Sequence, residues 1–244
     1  MLNGTIIDRE PKIISMTRYL SAIMICVCIS VTANAQSRFS LGPNAGFGHS
    51  WIDNFKDNKY KAAGNAGLSL IYSTKSSFGI GADLKYSFEG GERHFQTTIP
   101  TTLNIVEDID LDYIRIPIKA MWFFGNYGNR VRPKVSLGPS FGFLVGGKSE
   151  RTVTNNAGTL VGQENNDSEE ENWDKFDLGL TAAVGLNYRL VRDIWFNADI
   201  AYLHGLTDAR KEDRKNPATY PGYSPDQRYK NRNLQINIGV NFGL

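Results

Sequence analysis

The side chains able to do chemistry in this 244-residue chain fall into three groups. The first is His49, His94 and His204, the natural general bases. A serine or threonine nucleophile would have to lie within hydrogen-bond reach of one of them. His49 and Ser50 are neighbours in an alternating segment, so they point to opposite faces. His204 and Thr207 also differ in parity, which leaves only a partner on another strand. No HExxH, P-loop or GxSxG motif appears. The second group is charge in two stretches. One is acidic, with Glu164, Asp167, Glu169, Glu170 and Glu171. The other is basic, with Arg210, Lys211, Arg214, Lys215, Arg228, Lys230 and Arg232. Such stretches are solvated loops by default. They could also pair with each other, or Arg210, Lys211, Arg214 and Lys215 could grip phosphate-type anions. The third group is Asp83, Lys85, Arg115, Lys119, Asp177 and Asp199, single charges set among apolar residues. Buried charges need partners, so these six are expected to form one ion-pair network.

The elements that must hold these residues are strands. In FGIGADLKYSFEG, Phe78 to Gly90, the apolar residues take one parity and the polar ones and glycines the other. Seven further segments alternate in the same way: Phe39 to Trp51, Asn65 to Tyr72, Ile114 to Trp122, Val135 to Val145, Phe176 to Tyr188, Ile194 to Tyr202 and Leu234 to Leu244. No stretch after residue 35 carries a helical period. Ile109 and Leu111 have the wrong parity for the strand they precede. Either a bulge lies near Tyr113 or the strand has left its apolar environment there. Pro43, Pro117 and Pro139 interrupt strands, where each removes a ladder bond and local bulges or water-facing gaps are expected. Connections alternate in length. The short ones are Ser73 to Ser77, Gly125 to Arg132 and Leu190 to Asp193; the long ones are Glu89 to Asp108, Gly146 to Asn172 and Leu206 to Lys230, with Ile52 to Lys59 between. An even number of strands with short turns at one end and long loops at the other is the layout of an outer-membrane barrel.

Two observations choose the direction of the faces. The polar parity is rich in glycine, which suits the lining of a narrow tube better than a large solvent surface. The apolar parity ends in aromatic residues at both rims. These are Phe39, Tyr72, Phe78, Trp122, Tyr188, Phe196 and Phe242 at the short-turn end, and Trp51, Tyr86 and Tyr202 at the long-loop end. Paired aromatic girdles are what two lipid–water interfaces select. The fold expected is therefore all-β: an eight-stranded antiparallel up-and-down transmembrane β-barrel, residues 36–244, preceded by a cleaved signal peptide, residues 1–35. That leader has Arg18, an apolar core from Leu20 to Val31, and the small-x-small site Ala33-Asn34-Ala35, with Met16 as the expected start. Both cysteines, Cys26 and Cys28, fall within it, which leaves no thiol for a disulfide or metal site. The average composition, 41% apolar with a net charge of +2, is compatible with a barrel and offers no case for a nucleic-acid partner. Eight strands leave a lumen that side chains fill, so no open channel is expected.

Four stretches carry a family resemblance: ANAQ at Ala33 to Gln36, GPNAGF at Gly42 to Phe47, DYIRIPIKA at Asp112 to Ala120, and INIGVNFGL at Ile236 to Leu244. With them the chain resembles the PorT-like outer-membrane β-barrel family of Bacteroidetes-type bacteria. The resemblance implies an outer-membrane location, insertion by the barrel-assembly machinery and an association with a secretion system. The function expected is a non-enzymatic barrel with a filled polar lumen and long extracellular loops, structural or binding, or accessory to an envelope or secretion complex. A small lipid-modifying enzyme is the alternative. Outer-membrane lipid, lipopolysaccharide and an envelope protein reached through the loops are the expected partners; no cofactor or metal is expected.

Overall fold

The computed structural model describes residues 39–55, 57–74, 77–97, 102–126 and 128–244. The expected signal peptide, Met16 and both cysteines lie outside the described residues. Nine strands run in chain order: β1 (Phe39–Ile52), β2 (Lys61–Ser73), β3 (Phe78–Thr97), β4 (Leu103–Phe123), β5 (Val131–Asn155), β6 (Leu160–Asn166), β7 (Phe176–Val191), β8 (Ile194–Gly205) and β9 (Asn231–Gly243). All pairings are antiparallel. The order β4-β3-β2-β1-β9-β8-β7-β5 closes on itself through β4–β5, and β6 pairs with β5 outside the ring. Eight strands thus form a barrel without an edge, which satisfies the backbone in a medium that offers no hydrogen bonds. No helix among the described residues is long and apolar enough to cross a membrane.

The two faces follow the alternation. Phe78, Ile80, Leu84, Tyr86 and Phe88 point outward and are exposed, while Gly81, Asp83, Ser87 and Glu89 are buried within. Leu84 stands opposite Leu68 on β2, and Ala82 opposite Ile118 on β4, so an apolar band is continuous across strands. Short turns connect β2–β3, β4–β5 and β7–β8 at one end, the periplasmic end by the rule for such barrels.

At the other end two expected loops are largely strand. The connection Glu89 to Asp108 holds the upper half of a hairpin, because β3 runs to Thr97 and β4 begins at Leu103. The connection Gly146 to Asn172 holds the end of β5 and all of β6. The physical reason is visible in β4. From Ile114 to Trp122 the outward residues are apolar, a length close to the ~9–11 residues a tilted strand needs to cross a bilayer. Below residue 114 in number, the outward residues are Asp108, Asp110 and Asp112, and Ile109, Leu111 and Tyr113 are fully buried inward. The strand keeps its parity and leaves the lipid; the surrounding solvent changes, so the residue types swap faces. A bulge is present as well, but on β5: Asp112 pairs Gly146 and Tyr113 pairs Leu144, leaving Val145 extra. The prolines shift no register. Pro117 pairs Ser140 and Pro139 pairs Leu180 in step, and β3–β4 pairing lapses between Ala82↔Ile118 and Lys85↔Arg115, where Pro117 offers no N–H.

The interior is layered. Ile71, Met121 and Phe123 form an apolar floor at the short-turn end. Polar and charged side chains fill the middle. Above them Ile52, Phe55, Ile109, Leu111, Tyr113, Leu144, Trp173, Ala209, Tyr223 and Tyr229 form a second apolar core, the cap of the barrel.

Candidate functional site

In the lumen, β3 and β4 place their inward charges side by side. Lys119 Nζ lies 2.7 Å from Asp83 Oδ2, and Lys85 Nζ lies 3.4 Å from the same oxygen. Ser69 Oγ donates to Asp83 Oδ1 at 2.8 Å. Arg115 Nη2 donates to Glu89 Oε2 at 2.6 Å and to Asp177 Oδ2 at 2.7 Å, so one guanidinium joins β3, β4 and β7. Asp199 lies 3.6 Å from Lys134 Nζ. Two partners here go beyond the six charges that the sequence singles out: Glu89, which closes the Phe78 to Gly90 segment and opens the connection after it, and Lys134, just before Val135. Both share the parity of inward neighbours, Ser87 and Ser136, which is their signal in the sequence. Amides fill the remaining space: Asn65 Nδ2 donates to Asn237 Oδ1 at 2.9 Å, and Asn197 Nδ2 to Asn241 Oδ1 at 2.5 Å. Two voids among these side chains measure about 50 Å³ and 20 Å³, room for isolated waters.

The predicted girdle residues all lie on the outward parity. Phe39 packs on Tyr72 with ring centroids 4.8 Å apart, Phe78 pairs Trp122 across the ladder, and Phe196 pairs Tyr188. Phe242 stands opposite Leu41 and Ile194. At the other rim Trp51 contacts Tyr60 at 5.3 Å and Tyr202 at 6.2 Å, and Tyr86 contacts Phe88 at 5.0 Å.

The second cluster is in the cap, where the acidic and basic stretches meet. Glu169, on a short 3₁₀ turn, accepts from Arg210 Nη1 and Trp173 Nε1, each at 3.0 Å. Its other oxygen accepts from Ser149, Asn166 and Asn172 at 2.9–3.0 Å. Burial alone would raise the Glu169 carboxyl; Arg210 and these hydrogen bonds outweigh it and hold it below the usual range. Lys211 Nζ donates to the Glu171 carbonyl at 2.7 Å. Lys215 is buried between Asp208 and Glu212, at 2.6 Å and 2.7 Å. Arg214 hydrogen-bonds the Tyr220 hydroxyl. Further along β4 toward the tip of the hairpin, Glu107 pairs with Arg93 and, at 2.9 Å, with Arg151. Arg93 and Arg210 both pack on the ring of Tyr223, at 3.9 Å and 4.0 Å from its centroid. Between β5, β6, the Glu169 turn and the 208–230 loop an open cavity of about 430 Å³ remains. The histidines lie elsewhere: His94 Nε2 is 2.5 Å from Glu92 Oε1, His49 is beside Tyr60, and His204 is beside Tyr202.

Residues 34–210 match the family model of the outer membrane protein beta-barrel domain. The chain belongs to this family. This outer-membrane barrel therefore sits in the bacterial outer membrane, with its cap on the outer side. No curated protein matches it. Among solved structures it is similar to Neisserial surface protein A, at 13% identity over 86% of this chain and 100% of that one, with a TM-score of 0.46. It is also similar to OprG from Pseudomonas aeruginosa, at 12% identity over 85% and 96% of the two chains, with a TM-score of 0.44. A third is Ail, the attachment invasion locus protein of Yersinia pestis, at 13% identity over 84% and 98%, with a TM-score of 0.39. The family assignment rests on the family model.

Proposed function

We propose that this barrel is a non-enzymatic binding protein that works through its outer cap. The observation that carries the reading is the contrast between its two interiors. The lumen is filled by paired charges and amides and sealed by apolar residues below and above. The cap is a packed structure that holds an open polar cavity toward the cell exterior. A barrel built this way anchors and presents a surface. The resemblance to the PorT-like family adds a finer reading, in which that surface meets a component of an envelope or secretion complex. Lipopolysaccharide phosphates would be contacted through Lys211 and Arg214, which are partly exposed, since Arg210 and Lys215 are committed to buried ion pairs.

The test has two arms. The purified barrel in a planar bilayer is expected to show no porin-sized conductance; a steady open channel would end the reading. Affinity capture from outer membranes is expected to recover a partner that is lost when the 208–230 loop is replaced. A deletion strain with altered lipid A by mass spectrometry, and no captured partner, would instead favour a lipid-modifying enzyme.

A further inference from the structure

The cavity in the cap has the chemistry of a particular ligand class. Its volume, about 430 Å³, falls within the ~300–1,000 Å³ of ordinary small-molecule sites. Charge within it is already matched. Arg210 is held by Glu169 at 3.0 Å, and Arg151 by Glu107 at 2.9 Å and by Glu164 at 3.5 Å. An anion entering here would have to displace a carboxylate from each guanidinium. An apolar ligand would strip water from the carboxylates and guanidiniums that line the walls. What remains is a neutral molecule with many hydroxyls. Ion-paired carboxylates and guanidiniums are fixed in orientation yet keep spare lone pairs and N–H groups, which suits the alternating donors and acceptors of such a molecule.

Two tyrosines sharpen the assignment. Tyr223 is 5% exposed, lines the cavity, and its hydroxyl has no hydrogen-bond partner in the structure. A buried hydroxyl without a partner is costly unless a ligand or water supplies one. Burial pushes this hydroxyl's pKa up, so it remains protonated and able to donate at neutral pH. Tyr220, half-buried beside it, offers the cavity an aromatic side chain. An aromatic face next to fixed polar groups accommodates the C–H face of a sugar ring while its hydroxyls are bonded at the edge.

We propose that the cavity is a carbohydrate subsite, taking roughly one or two rings of a neutral glycan. The proposal rests on the reading of the cap as the working surface. The glycan has two sources, the neutral outer sugars of the cell's own lipopolysaccharide or a foreign surface. The barrel reconstituted in nanodiscs is applied to an array of neutral oligosaccharides that also carries the neutral outer sugars released from lipopolysaccharide of the same bacterium. Binding to those sugars assigns the site to the cell's own envelope; binding to other neutral glycans assigns it to a foreign surface. The best binder is then titrated by intrinsic fluorescence, for which Trp173, bonded to Glu169 at the cavity wall, is the reporter. Tyr223→Phe, which removes one hydroxyl and keeps the shape, is expected to weaken binding roughly three- to tenfold, one hydrogen bond's worth. Thr219→Trp, an exposed loop position on the lining, is expected to abolish it by filling the entrance. Failure to bind any neutral glycan, binding only of sulfated or phosphorylated ones or of unglycosylated peptides, or full affinity in both variants would overturn the proposal. The same nanodiscs are used for partner capture. A silent array with a captured protein partner rejects the sugar site and leaves the cap as a binding surface.

Discussion

Arg115 shows at the residue scale how this barrel tolerates charge in a membrane. Its guanidinium faces Glu89 and Asp177, both essentially inaccessible to solvent, and stacks at 4.6 Å over Tyr113. Replacing Arg115 with alanine leaves two carboxylates buried without a counter-charge. A loss of about 3–5 kcal/mol is expected, seen as a lower midpoint when the barrel is unfolded by denaturant in lipid vesicles. An unchanged midpoint would show that the three groups are independently solvated. Glu169 governs the cap in a similar way, but near water and therefore near pH control. Its folded pKa lies below the ordinary 4.5, so its contribution is complete above that value and is lost as pH falls through the folded value. Near-UV circular dichroism is expected to report a transition below pH 4.5 in the natural protein, arising from Trp173. Glu169→Gln is expected to lack that transition and to have a looser cap already at neutral pH, because Arg210 loses its partner.

At the scale of the element, β4 and β5 define where the membrane ends. On β4 the apolar residues change from outward to inward between Ile114 and Tyr113 without any change of register on that strand. On β3 Gly90, opposite Asp110 and so beyond that level, has a φ of +141° that excludes most side chains, and a Cβ there would lie 1.9 Å from the Ile109 carbonyl oxygen. On β5 the extra residue Val145 resets the alternation, so that Leu144 and Gly147 are both buried. Deleting Val145 alone would make the ladder regular, because Gly146 would then follow Leu144 opposite Asp112; deleting Val145 and Gly146 together turns every later residue of β5 to the opposite face and removes Ser149 from Glu169. The expected result is a cap cut by trypsin at protease levels that the natural cap resists, while the lower barrel still inserts and keeps its heat-modifiable gel mobility. Loss of insertion would mean that the cap and the barrel fold as one unit.

At the scale of the molecule, period-two patterning was enough to read the architecture. Apolar and polar residues separate cleanly by parity in segments such as Phe78 to Phe88, and in lipid every strand must pair, so a closed ring was the available solution. Lumen residues such as Asp83, Arg115 and Lys119 could be named from the same pattern, because side-chain direction in a strand is a local property. Their partners could not all be named. Whether Arg115 meets Glu89 or Lys119 meets Asp83 depends on cross-strand register and on which strands face each other across the tube. The cap was the least readable part. Its core draws on Ile52, Leu111, Trp173 and Tyr223, residues far apart in the chain, with no period connecting them. The acidic and basic stretches read as solvated loops or as partners of each other, and only the fold selects the pairing of Glu169 with Arg210. Alternation along a strand is set by neighbouring residues and survives in the linear order. The meeting of distant loops is set by the closure of the ring, which exists only once all eight strands have paired.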